Sequence, residues 1–126
     1  TKNMFVSRET LLYKKEEKRM QGMDHLYEVV RGRQTQKEEG SYTCYLFEQG
    51  LDKILKKCGE EASEVIIAAK NGVKSDTIGE LSDLLYHLTV LMVEQGITLD
   101  DVNDELERRS QKIGNLKTFH QVDKDS

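Results

Sequence analysis

Two acidic pairs stand inside segments that otherwise have the pattern of buried helix: Glu61-x-x-Glu64, with Glu60 beside it, and Glu80-x-x-Asp83. Residues three apart on a helix share a face, so each pair presents two carboxylates towards one spot. The hard oxygen donors of Glu61, Glu64, Glu80 and Asp83 suit Mg²⁺, and this placement points to a metal-dependent enzyme.

The elements that carry these acids are read from helical periodicity. Stepping about 100° per residue from Leu51, the side chains of Leu51, Ile54, Leu55, Cys58, Ala62, Val65 and Ala69 fall in one apolar sector between about 300° and 40°. Glu61 lands near 280°, on the flank of that sector between Ala68 and Ile54, whereas Glu64 and Glu60 lie progressively towards water. An unpaired carboxylate on an apolar flank is costly to bury and calls for a cation.

The next helix repeats the arrangement. Leu81, Leu84, Leu88, Leu91 and Met92 form its apolar face, and Glu80, Asp83, His87 and Glu94 line one flank between about 240° and 300° from Thr77. A short loop at Asn71–Ser75 predicts antiparallel packing, which sets the two acidic stripes across a shared groove. Most charge runs on helices are solvated faces, and Glu60 and Glu94 fit that reading as well as a functional one. The apolar neighbours and matched spacing of Glu61, Glu64, Glu80 and Asp83 set those four apart.

At 126 residues the chain forms one domain with its own core but little margin as a monomer. Its net charge of −4 offers no basic field for nucleic acid, and no apolar run is long enough to cross a bilayer. No signal peptide is expected, and Cys44 and Cys58, without metal-type spacing, are read as free thiols in a reducing cytoplasm. Proline is absent, Leu, Glu and Lys abound, and sustained two-residue alternation is missing, so the domain is predicted to be all-α. The expected helices run from about His25 to Arg33, from Ser41 to Lys70 with a disturbance at Gly50, from Asp76 to Gln95, and from Leu99 to Arg109. Thr98 is the expected N-cap of the last helix and Gly96 the stop of the one before it. Residues 1–22 read as an N-terminal extension of mixed charge without evident chemistry, residues 23–112 as the domain, and residues 113–126 as a polar tail.

Several stretches closely resemble the phosphoribosyl-ATP pyrophosphatases of histidine biosynthesis. They are Ser41-Tyr42-Thr43, the run from Gly50 to Lys57, Gly59-Glu60-Glu61-Ala62-Ser63-Glu64-Val65, the run from Ala68 to Asn71, and the run from Glu80 to His87. The acidic pattern alone resembles the wider all-α nucleotide pyrophosphohydrolase (MazG-like) superfamily; the lysine-rich approach and the Tyr86-His87 ending narrow the likeness to this branch. The resemblance implies a helical bundle completed by dimerisation. It also implies Mg²⁺-dependent hydrolysis of the α–β phosphoanhydride of phosphoribosyl-ATP, giving phosphoribosyl-AMP and pyrophosphate.

On that footing Glu61, Glu64, Glu80 and Asp83 would hold the metal, and Glu60 or one of those four would orient or deprotonate the attacking water. Lys53 and Lys57 share a side with Glu64 and are the expected ligands of the outgoing pyrophosphate, while Lys56 points away. Their alternative role is pairing along the helix with Glu61. His87, one turn after Asp83, is either a core histidine with a satisfied hydrogen bond or a donor to a metal-bound carboxylate or to substrate phosphate. Ser41 and Thr43 fit helix capping better than phosphate contact.

Tyr86, Val90 and Val93 fall opposite Leu84 and Leu88, which predicts a homodimer whose interface includes that helix. A house-cleaning nucleoside triphosphate pyrophosphohydrolase and a non-catalytic helical dimerisation module are the competing readings. Substrate preference would separate the first and divalent-metal binding the second.

Overall fold

The computed structural model describes residues 22–112 together with Arg8. Five helices follow one another there: α1 Met23–Thr35, α2 Tyr42–Gln49, α3 Leu51–Asn71, α4 Lys74–Glu94 and α5 Leu99–Ser110. No strand occurs among the described residues, so the domain is all-α as its composition predicts. The expectations for residues 1–22 and 113–126 lie outside the described residues, apart from Arg8 and Gly22.

The long helix expected from Ser41 to Lys70 is broken in two at Gly50, whose φ of 91° and ψ of −177° belong to a region that only glycine adopts without strain. The break is closed on both sides: the Gly50 N–H donates to the Leu46 carbonyl at 3.0 Å, and the Gly50 carbonyl accepts from Ile54 at 3.2 Å. Ser41 caps α2, its hydroxyl accepting from the Cys44 N–H at 3.2 Å. Between α3 and α4 the link is shorter than expected. Gly72 takes the left-handed conformation that ends α3, and α4 already begins at Lys74 rather than Asp76. Thr98 caps α5 in a reciprocal pair with Asp101, as its position predicts.

A two-residue link forces α3 and α4 into an antiparallel hairpin, and they pack along much of their lengths. The α1 helix lies on α4, and α2 is wedged against α1, α3 and α4. The core at this junction is Tyr27, Val30, Leu46, Ile54, Val90 and Val93, with Leu26, Phe47, Cys58, Tyr86, Leu91, Met92 and Leu99 packed around it. The fully buried aliphatic side chains contribute about 1.5–3 kcal/mol each. The Tyr27 hydroxyl donates to the Ile97 carbonyl at 2.8 Å and ties the α4–α5 connection to α1.

Two expectations about faces are corrected. Val90 and Val93, predicted to face a partner, are buried within the chain, Val90 completely (0% exposed), because α1 and α2 cover that side of α4. The apolar side chains of α4 left in solvent are instead Ile78 (54%), Leu81 and Leu85 (43%). On α3 the fully inward row is Ile54, Glu61 and Ala68, spaced by seven, while Leu51 and Leu55 are exposed. The buried stripe is therefore rotated from the predicted apolar sector, and Glu61 stands in its middle rather than on its flank.

Candidate active site

Because α3 turns its Ile54–Glu61–Ala68 row inward, Glu61 is carried into the bundle, only 7% exposed. The antiparallel hairpin brings Glu64 of α3 and Glu80 of α4 beside it, and one carboxylate oxygen from each of the three lies within 4.8 Å of the others. Asp83 is not in this tight group. It lines, with Glu64 and Glu80, an adjoining cavity of about 430 Å³ whose other walls are Ile67, Ala68, Asn71, Ser75, Asp76 and Gly79.

The electrostatics of the cluster are unbalanced. Oε2 of Glu61 and Oε2 of Glu80 are buried without a hydrogen-bond partner, a costly state for carboxylate oxygens. Glu80 has its pKa raised, first by a proton-mediated hydrogen bond with Glu64, then by burial and by the charges of Glu64, Asp83 and Glu61. The crowding of these carboxylates therefore favours the protonated form of Glu80, and a bound cation would relieve the same repulsion. Orphaned oxygens, hard donors and mutual repulsion all fit a divalent cation such as Mg²⁺, with Glu61, Glu64 and Glu80 as the gathered ligands and Asp83 at the rim.

Lys57 makes the pairing along the helix that stood as the alternative to a phosphate contact. The Lys57 ammonium lies 3.5 Å from Oε1 of Glu61 and 3.3 Å from Oε2 of Glu60. Lys56 is more exposed, 3.9 Å from Glu60. Lys53, one turn before Lys57, is half-buried. Glu60 lies on the exposed side of the cluster, held by these lysines.

His87 is buried and makes its bonds away from the carboxylates: Nδ1 lies 2.8 Å from the Asp83 carbonyl and Nε2 3.2 Å from the Tyr42 hydroxyl. Thr43 bonds its hydroxyl to that of Tyr86. The sequence reading missed the cavity walls and the approach of Tyr42 to His87. Those residues are separated along the chain, and no local period connects them.

Facing helices that gather carboxylates beside an acid-lined cavity fit the class of all-α nucleotide pyrophosphohydrolases that the sequence resembles. The chain belongs to the phosphoribosyl-ATP pyrophosphohydrolase family, whose model matches residues 23–110. It is 57% identical over 95 residues to a phosphoribosyl-ATP pyrophosphatase of Clostridium botulinum (strain Hall), covering 75% of this chain and 86% of the relative. To the corresponding protein of Limosilactobacillus fermentum it is 53% identical over 98 residues, covering 78% and 92%. It is also 59% identical over 90 residues to a histidine biosynthesis bifunctional protein of Caldanaerobacter subterraneus subsp. tengcongensis, covering 71% of this chain but only 44% of that relative.

Proposed function

We propose that this protein hydrolyses the α–β phosphoanhydride of phosphoribosyl-ATP in the presence of Mg²⁺, releasing phosphoribosyl-AMP and pyrophosphate, as a step of histidine biosynthesis. The observation that carries the reading is the pair of orphaned oxygens on Glu61 and Glu80 within a three-carboxylate cluster, in a chain so similar to phosphoribosyl-ATP pyrophosphatases. Glu61, Glu64, Glu80 and Asp83 hold the metal in this proposal. Bound there, Mg²⁺ supplies positive charge against the triphosphate and acidifies the attacking water.

The protein's own groups do the rest. Glu60 or one of the four cluster acids takes the proton of the water that attacks phosphorus as the bridging P–O bond breaks. Lys53 and Lys57 receive the charge that builds on the leaving pyrophosphate. His87 fixes its ring against the Asp83 backbone beside the metal ligands. The cavity beyond Glu64 and Glu80, with an apolar patch of Ile67, Ala68 and Gly79 and polar groups from Asn71, Ser75 and Asp76, takes the nucleoside end.

We also assign a cytoplasmic location and a homodimer. No helix among the described residues is long and apolar enough to cross a membrane. The exposed Ile66, Ile78, Leu81 and Leu85 of the hairpin give a second copy an apolar surface to cover.

The test is turnover of phosphoribosyl-ATP against a panel of ordinary nucleoside and deoxynucleoside triphosphates, with Mg²⁺ and with chelator. Strong preference for phosphoribosyl-ATP and loss of activity on chelation are expected. A preference for an ordinary deoxynucleotide would replace the proposal with a house-cleaning role.

A further inference from the structure

The cavity between α3 and α4 has two ends. Glu64 and Asp83 stand at the metal cluster, and Asn71 and Asp76 stand about two turns further along their helices, beside the hairpin turn. The helical rise puts these ends about 10 Å apart. That span matches the reach from the α-phosphate of an extended nucleotide to the far edge of its base. Between the ends the walls are apolar: Ala68, Ile67, which is 61% exposed, and the bare backbone of Gly79.

A glycine inside a helix destabilises it relative to alanine, through chain entropy and an uncovered backbone. Two structural needs commonly account for such a residue. One is a left-handed backbone, but Gly79 lies in the second turn of α4 and is not among the glycines with positive φ. The other is the close approach of a neighbouring element, but a methyl group built at position 79 meets no atom within 4 Å. What this glycine preserves is open space at a wall of the cavity.

We propose that Gly79 is a specificity-determining position of the reaction: the base of phosphoribosyl-ATP lies flat on the α4 backbone there, against Ile67 and Ala68, with its edge towards Asn71 and Ser75. The proposal rests on the assignment of this cavity to the nucleoside end of the substrate. Adenine presents an amino donor and ring-nitrogen acceptors, and the Asn71 amide and Ser75 hydroxyl can each donate and accept. Gly79 touches only the base in this scheme, so filling its space weakens the hold on the nucleotide without reaching the metal or the pyrophosphate.

Gly79→Ala and Gly79→Leu fill the space in two steps, with residues that helices favour. The experiment titrates phosphoribosyl-AMP and Mg²⁺-pyrophosphate separately by calorimetry into the wild type, both variants and Gly32→Ala, with melting temperatures measured alongside. Gly32 is an equally open helix glycine of α1 that is not a wall of this cavity. Gly79→Ala is expected to raise the melting temperature by about 4 °C and yet to weaken phosphoribosyl-AMP roughly tenfold, and Gly79→Leu to weaken it further. Pyrophosphate affinity should hold within about twofold, because its contacts are remote from the base. Gly32→Ala should stabilise similarly and leave both affinities at wild-type values. A variant more stable than the wild type that loses only the nucleotide has not lost it through damage to the fold. If Gly79→Leu binds phosphoribosyl-AMP like the wild type, or if pyrophosphate binding falls in parallel, the role of Gly79 is overturned and the pyrophosphohydrolase reading stands. If the wild type itself binds no phosphoribosyl-AMP, both fall.

Discussion

Glu61 has two unlike oxygens, one facing Lys57 at 3.5 Å and one buried without a partner. Glu61→Gln keeps the shape and removes the charge, as Asp83→Asn does at the rim. Each should cut turnover by more than roughly a hundredfold, since even supporting residues around metal ligands cost 10- to 100-fold. Circular dichroism should show the helices intact. Relief of carboxylate repulsion should raise the melting temperature of metal-free Glu61→Gln, and near wild-type rates in saturating Mg²⁺ would remove the residue from the metal site. Glu80 gives the same cluster a pH signature. Its folded pKa is raised, so the folded chain binds that proton more tightly than the unfolded chain does. The resulting stability is fully present below the ordinary carboxylate range and is lost as pH rises through the raised value. Thermal melts in chelator should show this contribution decline as pH rises above the ordinary carboxylate range, and Mg²⁺ should restore stability by occupying the deprotonated cluster. At the lysines, Lys57→Ala should impair turnover while Mg²⁺ affinity holds or rises. Lys56→Ala, which removes the same charge from a more exposed site, should cost much less. Equal losses would point to general attraction.

Among the helices, the break at Gly50 decides what α2 can do. A continuous helix from Ser41 would carry Tyr42 along the axis of α3; the turn instead folds α2 back so that Tyr42 meets His87 of α4. A methyl group at position 50 would find open space, so Gly50→Ala tests backbone strain alone. The expected cost is about 1–3 kcal/mol, read as a lower urea midpoint with unchanged slope. A wild-type midpoint would mean that the turn relaxes without loss. The α5 helix is a different case: no residue in it is buried, and Val102 and Leu106 are exposed on an amphipathic element attached to the core mainly through Leu99.

For the whole molecule, the distribution of exposed apolar side chains separates folding from association. Val90 is sealed inside the chain, so Val90→Asp buries an unpaired charge and should unfold the protein rather than split a dimer. Leu85, exposed on α4, is the informative position. Leu85→Asp should leave the helical content and lower the mass seen by light scattering from that of a dimer to that of a monomer at micromolar concentration. A wild-type protein that is already a monomer would contradict the assignment of a homodimer.

The sequence by itself determined the helical class, the caps at Ser41 and Thr98, the turn glycines and the pairing of acids three residues apart, because each depends on neighbours within one or two turns. It also placed Glu61 among apolar residues. Which way each helix rolls was decided only by tertiary packing. A helical wheel supplies angles relative to its own axis, and α4 has apolar residues on two sides; the approach of α1 and α2 made Val90 core and left Leu81 and Leu85 outside. The same packing put Glu64 against Glu80 across a hairpin and set Tyr42 on His87, 45 residues away. Contacts of that kind belong to no local period, since they exist only once separate helices have buried their faces against one another.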